Sequence, residues 1–275
     1  MVKKDTALVK KATEALAPWE QEEAQHARDV KSKETLGIPR IQTRGAKFSI
    51  DGKALGTSLV VLPIAAAKEK SYYVEDFNPA VPATPECYAL ADDTLAEADM
   101  VAHAAARDKQ NLQPDGSSPC QGCKHNAFNT AKKGKGKRCK DYRRWLVISP
   151  VLDEKTGRYN LDAAAVQKAE KRQLSIPPSS LKAYGAYLSS LNDKTRTGSV
   201  REMMVKLDIY NLPNGGHGFT FEPVQGVDSE TFQAVRAIGN AAAGTLLQPY
   251  PDLGSNEEAG AAQAKAKKMS KRVGK

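Results

Sequence analysis

The sequence predicts a mixed α+β fold in which a small β-barrel is decorated with helices. Alternating apolar and polar residues predict strands within residues 38–73 and again within residues 200–224. Helical patterns lie between and after these strands, and a polar, Lys-rich insert separates the two strand groups. Strands and helices do not alternate as in βαβ units, so a small barrel is favoured over a parallel sheet.

Composition and charge exclude several classes of protein. The 275 residues carry a net charge of +9, with 40% hydrophobic and 6% aromatic residues, which suits a packed core of modest size. No apolar run approaches the roughly 20 residues that a membrane helix needs. The amino-terminal segment turns acidic before an apolar stretch forms, which argues against a secretion signal. We therefore expect a soluble protein without a membrane partner.

The first half of the chain predicts a helical extension followed by strands. Ala, Leu, Glu and Lys dominate residues 5–35, so a helical extension is expected over residues 1–36. A core domain is predicted over residues 37–225, with an insert at about residues 87–144 and a short helix at 95–107 within that insert. The core opens with a strand meander, which is marked by Ile41, Phe48, Ile50 and the run 58–64 and ends at Tyr72 and Tyr73.

The second half predicts strands and helices in alternation with turns. A buried strand is expected at residues 145–152, and helices are expected at 161–171 and 180–191, with a break at Pro177-Pro178 between them. Alternation at 200–209 and 219–224, around the turn-rich 211–218, predicts a hairpin. A last helix at 229–242 lies within a carboxy-terminal unit, 226–250. The basic segment 251–275 is expected to be a flexible tail.

The four cysteines predict a metal site. Cys120 and Cys123 have the two-residue spacing that lets one turn present two thiolates to a metal, and Cys87 and Cys139 flank them in sequence. Four thiolates close a tetrahedral zinc site, which is structural and not catalytic. A site in which His125 or His103 replaces Cys87 is an open alternative. Disulfides and a redox pair are less favoured, since no secretion signal or βαβ context accompanies the cysteines.

The basic charge is concentrated in two short segments. Residues 124–144 hold a net charge of +8 and residues 261–275 a net charge of +6, which leaves −5 on the rest of the chain. Such concentration is typical of a surface that binds a polyanion. We predict that the phosphate contacts are made by Lys132, Lys133, Lys135, Lys137, Arg138, Lys140, Arg143 and Arg144.

Aromatic residues are interleaved with this charge. Single-stranded nucleic acid is held by cationic grooves together with aromatic faces, which contribute on the order of 1–3 kcal/mol per stacked base. Tyr142, Phe128 and one of the pair Tyr72 and Tyr73 are the predicted stacking residues, because adjacent strand residues face opposite sides of a sheet. Trp145 begins an apolar strand and is expected in the core.

No pattern predicts catalysis. The Lys-Gly run at 132–137 lacks the spacing of a phosphate-binding loop, and His217 lies in a Gly-rich turn. The acidic residues Asp92, Asp93, Glu97 and Asp99 are interpreted as a solvated surface and not as a metal-dependent nuclease site. The protein is therefore not expected to be an enzyme.

The cysteine and Lys-Gly motif resembles a family of tailed-phage single-stranded DNA-binding proteins, and the resemblance extends over residues 38–225. That family carries a cysteine after a Pro-containing strand end, a Cys-x-x-Cys pair, an Asn, a Gly-Lys-Gly-Lys run, a further cysteine and an Arg pair. The matching residues here are Cys87, Cys120, Cys123, Asn126, the run 134–137, Cys139, Arg143 and Arg144.

The resemblance implies an oligonucleotide-binding (OB) barrel with a structural Zn²⁺ held by Cys87, Cys120, Cys123 and Cys139. It also implies a non-catalytic role in coating single-stranded DNA during phage replication or recombination, in the cytoplasm of the infected bacterial host. Phage replication or recombination proteins would then be partners. The basic end of this chain departs from the acidic tails common among such proteins. The alternative function is a zinc-ribbon interaction module that binds a polymerase or another replication or transcription protein.

Overall fold

The computed structural model describes residues 38–44, 46–75, 84–132, 135–213 and 216–250. The helical extension predicted over 1–36 and the tail predicted over 251–275 lie outside these residues. Lys133, a predicted phosphate contact, also lies outside them.

The strand meander predicted at the start of the core is confirmed. It consists of β1 (Arg40–Arg44), β2 (Lys47–Ile50), β3 (Lys53–Gly56) and β4 (Ser58–Tyr72). Asp51 and Gly52 join β2 to β3 with φ values of 54° and 80°. Positive φ at both central residues is what a tight type I′ hairpin turn requires, and an Asp-Gly pair supplies it at low cost.

The remaining elements follow in chain order. The strands are β5 (Cys87–Asp92), β6 (Lys140–Ile148), β7 (Val151–Asp153), β8 (Arg158–Asn160), β9 (Arg172–Ile176), β10 (Met203–Asn211) and β11 (His217–Gly226). The helices are α1 (Ala163–Lys168), α2 (Leu181–Leu191) and α3 (Ser229–Ala242). The predicted hairpin, the predicted helix at 180–191 and the predicted helix at 229–242 are therefore confirmed.

These strands build a mixed α+β fold around one strongly curled, half-barrel sheet. Its order is β11-β10-β4-β6-β9-β1-β2-β3, and β5 pairs with the far end of β4. Only β1 and β9 run parallel among the pairs of this sheet, and β7 and β8 form a separate two-stranded sheet. The curl places one face of the sheet inside and leaves the other face to be covered by helices.

Apolar residues fill both faces of the sheet. The inner cluster contains Phe48, Trp145 and Leu174 and is completed by α2. The outer cluster contains Leu62 and Leu146, against which residues of α1 and α3 pack. Trp145 is buried, as predicted from its place at the start of an apolar strand. No helix among the described ranges is both long enough and apolar enough to cross a membrane.

Three predicted elements differ from the structure. The helix predicted at 95–107 is wrong, because only a 3₁₀ turn forms at Glu97–Asp99. The following backbone bonds outward instead: Ala102 N–H donates to the Ser118 carbonyl and His103 N–H donates to the Tyr88 carbonyl, at 2.8 and 2.7 Å. Met100 is thereby buried against Ala89 and Ala91 of β5.

The other two differences concern where elements begin and end. The helix predicted at 161–171 is shorter, at Ala163–Lys168, and it is followed by β9, a strand that was not predicted; Leu174 and Ile176 of β9 fill the sheet interior. The strand predicted at 145–152 begins five residues earlier, at Lys140, and β7 takes its last residues. Residues 140–144 are polar, so alternation of apolar and polar residues did not predict this first part of the strand.

Candidate functional site

The insert is built on an extension of the sheet. The last residues of β4 pair with β5 on one edge and with β6 on the other. In this register Tyr72 lies opposite Cys87, and Lys70 lies opposite both Ala89 and Asp141. Residues that lie opposite each other on paired strands point to the same face of the sheet. The face that carries Lys70 and Tyr72 therefore also carries Cys87 and, just before β6, Cys139. The insert packs on this face.

All four cysteines line one cavity between the extension and the insert. Lys70, Tyr72, His125 and Asn126 are among the other lining residues. The backbone holds the thiols there: Cys139 N–H donates to the His125 carbonyl at 2.8 Å, and the Asn126 side-chain amide donates to the Cys120 carbonyl at 2.9 Å. Gly122, with a φ of 75°, makes the tight turn between Cys120 and Cys123. The structure thus brings the predicted zinc ligands to one cavity.

The chemistry of these donors fits a soft divalent metal. The four cysteines are free thiols. Burial raises the pKa of Cys120 to about 11 and that of Cys139 to about 12, and neighbouring cysteines add to the shift. Burial also raises the pKa of Cys87. Thiols in this state bind a metal by exchanging their protons for the cation.

Among the described residues, no group of three or more His, Cys, Asp or Glu side chains is close enough together to hold a metal ion. The cavity therefore collects the four donors without closing a coordination sphere, and the zinc site remains a prediction.

The two histidines considered as alternative ligands differ in position. His125 lines the cavity, with its ring stacked on Tyr72 at 4.2 Å between centroids and its Nε2 atom 3.0 Å from Gln110 Oε1. His103 is absent from the cavity lining and stacks instead on Tyr88 at 5.2 Å. Of the two histidines, only His125 is placed to replace Cys87.

The predicted phosphate contacts fall into two groups. Lys132 and Lys135 are exposed, with Lys132 Nζ 3.9 Å from Glu75 Oε2, and so is Lys124, which was not among the predicted contacts. The second group is half-buried, and most of its members are engaged within the protein: Lys137 with Asp141 at 3.1 Å, Arg138 with the Val74 carbonyl at 2.9 Å and Arg143 with Glu97 at 2.8 Å. Lys140 is also half-buried.

Arg144 does not fit its predicted role. It is 1% exposed, and its Nε atom donates to Glu69 Oε2 at 2.6 Å. Its Nη1 atom donates to the Leu246 carbonyl at 3.0 Å. Burial therefore removes Arg144 from the set of phosphate contacts and makes it a structural residue.

Among the predicted stacking residues, Phe128 is the most accessible. Its side chain is 72% exposed, and Lys137 Nζ lies 5.3 Å from the ring centroid. Tyr72 is buried beneath His125 and Arg138, so its ring is covered and it is removed from the stacking set. Tyr73 and Tyr142 are half-buried, and desolvation raises the pKa of both hydroxyls.

The acidic residues at 92–99 serve the fold. Asp92 accepts hydrogen bonds from Thr94, and Glu97 and Asp93 pair with Arg143. Sequence reasoning missed Glu69 and Lys70, which are buried charged residues where the last part of β4 pairs with β5 and β6. The one available signal was the charged stretch 68–70, which continues directly from an apolar strand.

Comparisons of the chain with protein-family models, curated proteins and solved structures found no match. Function therefore has to be inferred from the fold, the cavity and the exposed residues of the insert.

Proposed function

We propose that the protein is a non-catalytic nucleic-acid-binding protein in which an OB-type barrel carries a zinc-stabilised insert. Within that class, we propose the particular role of a single-stranded DNA-binding protein that coats DNA during phage replication or recombination. The curled half-barrel is compatible with an OB-type barrel. The shared cavity of the four cysteines supports the zinc centre, in which Cys87, Cys120, Cys123 and Cys139 would be the ligands.

One observation carries the proposal. An aromatic ring that is 72% exposed, that of Phe128, belongs to the same insert as the exposed Lys124, Lys132 and Lys135. Base stacking on an aromatic ring, with the phosphates held by nearby cations, is how single strands are bound. A Gly- and Lys-rich loop is less suited to duplex DNA, which is usually entered by a helix.

Replacing the three exposed lysines by glutamine is expected to weaken binding to single-stranded DNA. With about five phosphates neutralised, log K falls with log salt at a slope near −0.7 per phosphate, so losing three contacts reduces the slope by about 2. Fluorescence anisotropy with a labelled oligonucleotide, titrated at low and moderate salt, measures both the affinity and the slope. The same oligonucleotide as duplex and as RNA establishes the preference for single-stranded DNA.

The matched control removes the same charge from elsewhere. Lys168, Lys182 and Lys194 are exposed and lie outside the insert, so their triple replacement by glutamine changes net charge equally. If both triple variants lost affinity for the oligonucleotide equally, the insert would contribute only general positive charge, and the proposal would be contradicted. No binding at low salt would instead favour the protein-interaction module, for which Val101 and Leu112 are exposed apolar residues of the insert.

Metal removal is expected to loosen the insert and to leave the half-barrel folded. The apolar cluster formed by the described residues of the insert is small: it consists of Ala89, Ala91 and Met100, with Cys120 beside them. A closed zinc site therefore supplies much of its folding free energy. Limited proteolysis after verified zinc loss should cut within residues 100–135 first. The Cys120→Ser variant should be cut in the same segment. Unchanged protease resistance of that segment would contradict a structural metal.

A further inference from the structure

A buried lysine borders the four-cysteine cavity. Lys70 lies on β4, its side chain is 3% exposed, and it lines the cavity together with all four cysteines. Lysine is rarely buried to this degree unless it is paired, because removing its charge from water is costly. Its placement on the central strand of the extension fixes it relative to both the half-barrel and the insert.

The partners of Lys70 connect it to the Cys-x-x-Cys turn. Its Nζ atom lies 2.5 Å from Asp141 Oδ1, and Lys137 Nζ lies 3.1 Å from the other oxygen of the same carboxylate. Lys137 also donates to Asn126 Oδ1 at 3.3 Å, and Asn126 in turn donates to the Cys120 carbonyl. This chain of hydrogen bonds joins β4 to the turn that presents two of the thiols.

The side chain of Lys70 remains charged. Burial alone would lower its pKa, but the hydrogen bond and the charge of Asp141 outweigh burial and leave the pKa above its ordinary value. Glu97 Oε2 is more distant, at 3.5 Å from Lys70 Nζ, and Glu97 also pairs with Arg143 at the rim of the site.

The charges of this network do not cancel. Lys70, Lys137 and Arg143 contribute three positive charges, and Asp141 and Glu97 contribute two negative charges, so these five side chains together carry a surplus of one positive charge. Four thiolates around a divalent zinc ion carry a formal charge of −2. A buried negative charge without compensation is strongly destabilising, and groups outside the ligand set commonly change metal affinity by about 10- to 100-fold.

We propose that Lys70 is the fixed counter-charge of the four-cysteine centre, a positioning residue that favours the metal-bound state. The inference rests on the proposed metal site and goes beyond it, since it assigns a role to a residue that is not a ligand. A merely structural lysine would affect stability, whereas a counter-charge affects metal affinity according to its sign.

The test compares metal affinity among variants of the full chain. Zn²⁺ and Co²⁺ affinities are measured by competition with a chromophoric chelator, and the Co²⁺ absorption bands report thiolate ligation. Lys70→Met is expected to weaken binding by about 10- to 100-fold, and Lys70→Arg is expected to remain closer to the wild type. Lys68→Met is the matched control, because Lys68 is on the same face of β4 but donates to the Leu95 carbonyl and does not line the cavity.

A second variant separates charge from structure. Asp141→Asn breaks the same ion pair but adds positive charge to the network, so metal affinity should be retained or increased. Equal weakening by Lys70→Met and Asp141→Asn, or wild-type affinity in Lys70→Met, would overturn the role of Lys70 while leaving the metal centre intact. Failure of the wild-type chain to bind either metal would instead overturn the proposed centre, and the inference with it.

Discussion

Replacing Arg144 by methionine is expected to lower the free energy of unfolding by about 3–5 kcal/mol, the cost of breaking a buried ion pair from one side. Methionine preserves most of the packing volume of the side chain and removes its charge and hydrogen bonds. The variant should therefore unfold at a clearly lower urea concentration than the wild type.

This large effect is expected because Arg144 binds several buried groups. Its guanidinium binds Glu69 and the carbonyl of Leu246, and it lies 4.9 Å from the ring centroid of Tyr250. The Tyr250 hydroxyl donates to the same Glu69 carboxylate, as does the hydroxyl of Ser71. Without Arg144, Glu69 is a buried carboxylate without a cation, and the carbonyls of Leu246 and Gln248 lose the hydrogen bonds that Arg144 donates to them.

The neighbouring arginine provides the control. Arg143 is on the same strand but pairs with Glu97, which is half exposed, so Arg143→Met should cost only about 1 kcal/mol or less. The double variant Arg144→Met with Glu69→Gln removes the stranded charge and should be more stable than Arg144→Met alone. Similar urea midpoints for Arg143→Met and Arg144→Met would show that the buried pair does not carry this stability.

Replacing Gly239 by alanine is the second large effect, with an expected destabilisation of about 1–3 kcal/mol or more. A Cβ atom at Gly239 would lie 1.9 Å from the carbonyl oxygen of Ile64, where α3 crosses β4. That oxygen belongs to the backbone of a central strand, so it cannot move away without shifting the sheet. The cost of overpacking exceeds the gain of about 1 kcal/mol that alanine offers in a helix.

Gly185 is the matched control for this substitution. It lies within helix α2, it is exposed, and a Cβ atom added there would meet no atom within 4 Å beyond its chain neighbours and its own helix backbone. Gly185→Ala should therefore stabilise the protein by about 0.5–1 kcal/mol. Thermal unfolding of both variants, followed by circular dichroism, measures the two opposite shifts. A Gly239→Ala variant as stable as the wild type would mean that α3 does not approach β4 as closely as described.

Local patterns predicted the elements whose signals are contained in a few neighbouring residues. Helix α3 was predicted with the correct bounds, and the structure shows that its start is local in origin, since the Asp228 side chain caps its first turn. The hairpin of β10 and β11 was predicted because alternation and a turn-rich connection coincide. The helix at 95–107 was mispredicted, and the strand at 172–176 was not predicted, because hydrogen bonds to residues distant in sequence decided the conformation of both segments.

The candidate site shows the same division. By itself the sequence grouped the four cysteines with a Lys-rich insert and named Phe128 among several candidate stacking residues, because spacing and composition are local properties. The exposure of Phe128 became known only from the tertiary structure. Only the tertiary structure decided between Arg143 and Arg144, which are identical in type and adjacent in sequence. Neighbours on a strand point to opposite faces, and the face of Arg144 is covered by a segment about a hundred residues later. Burial of that kind depends on long-range packing, which periodicity does not encode.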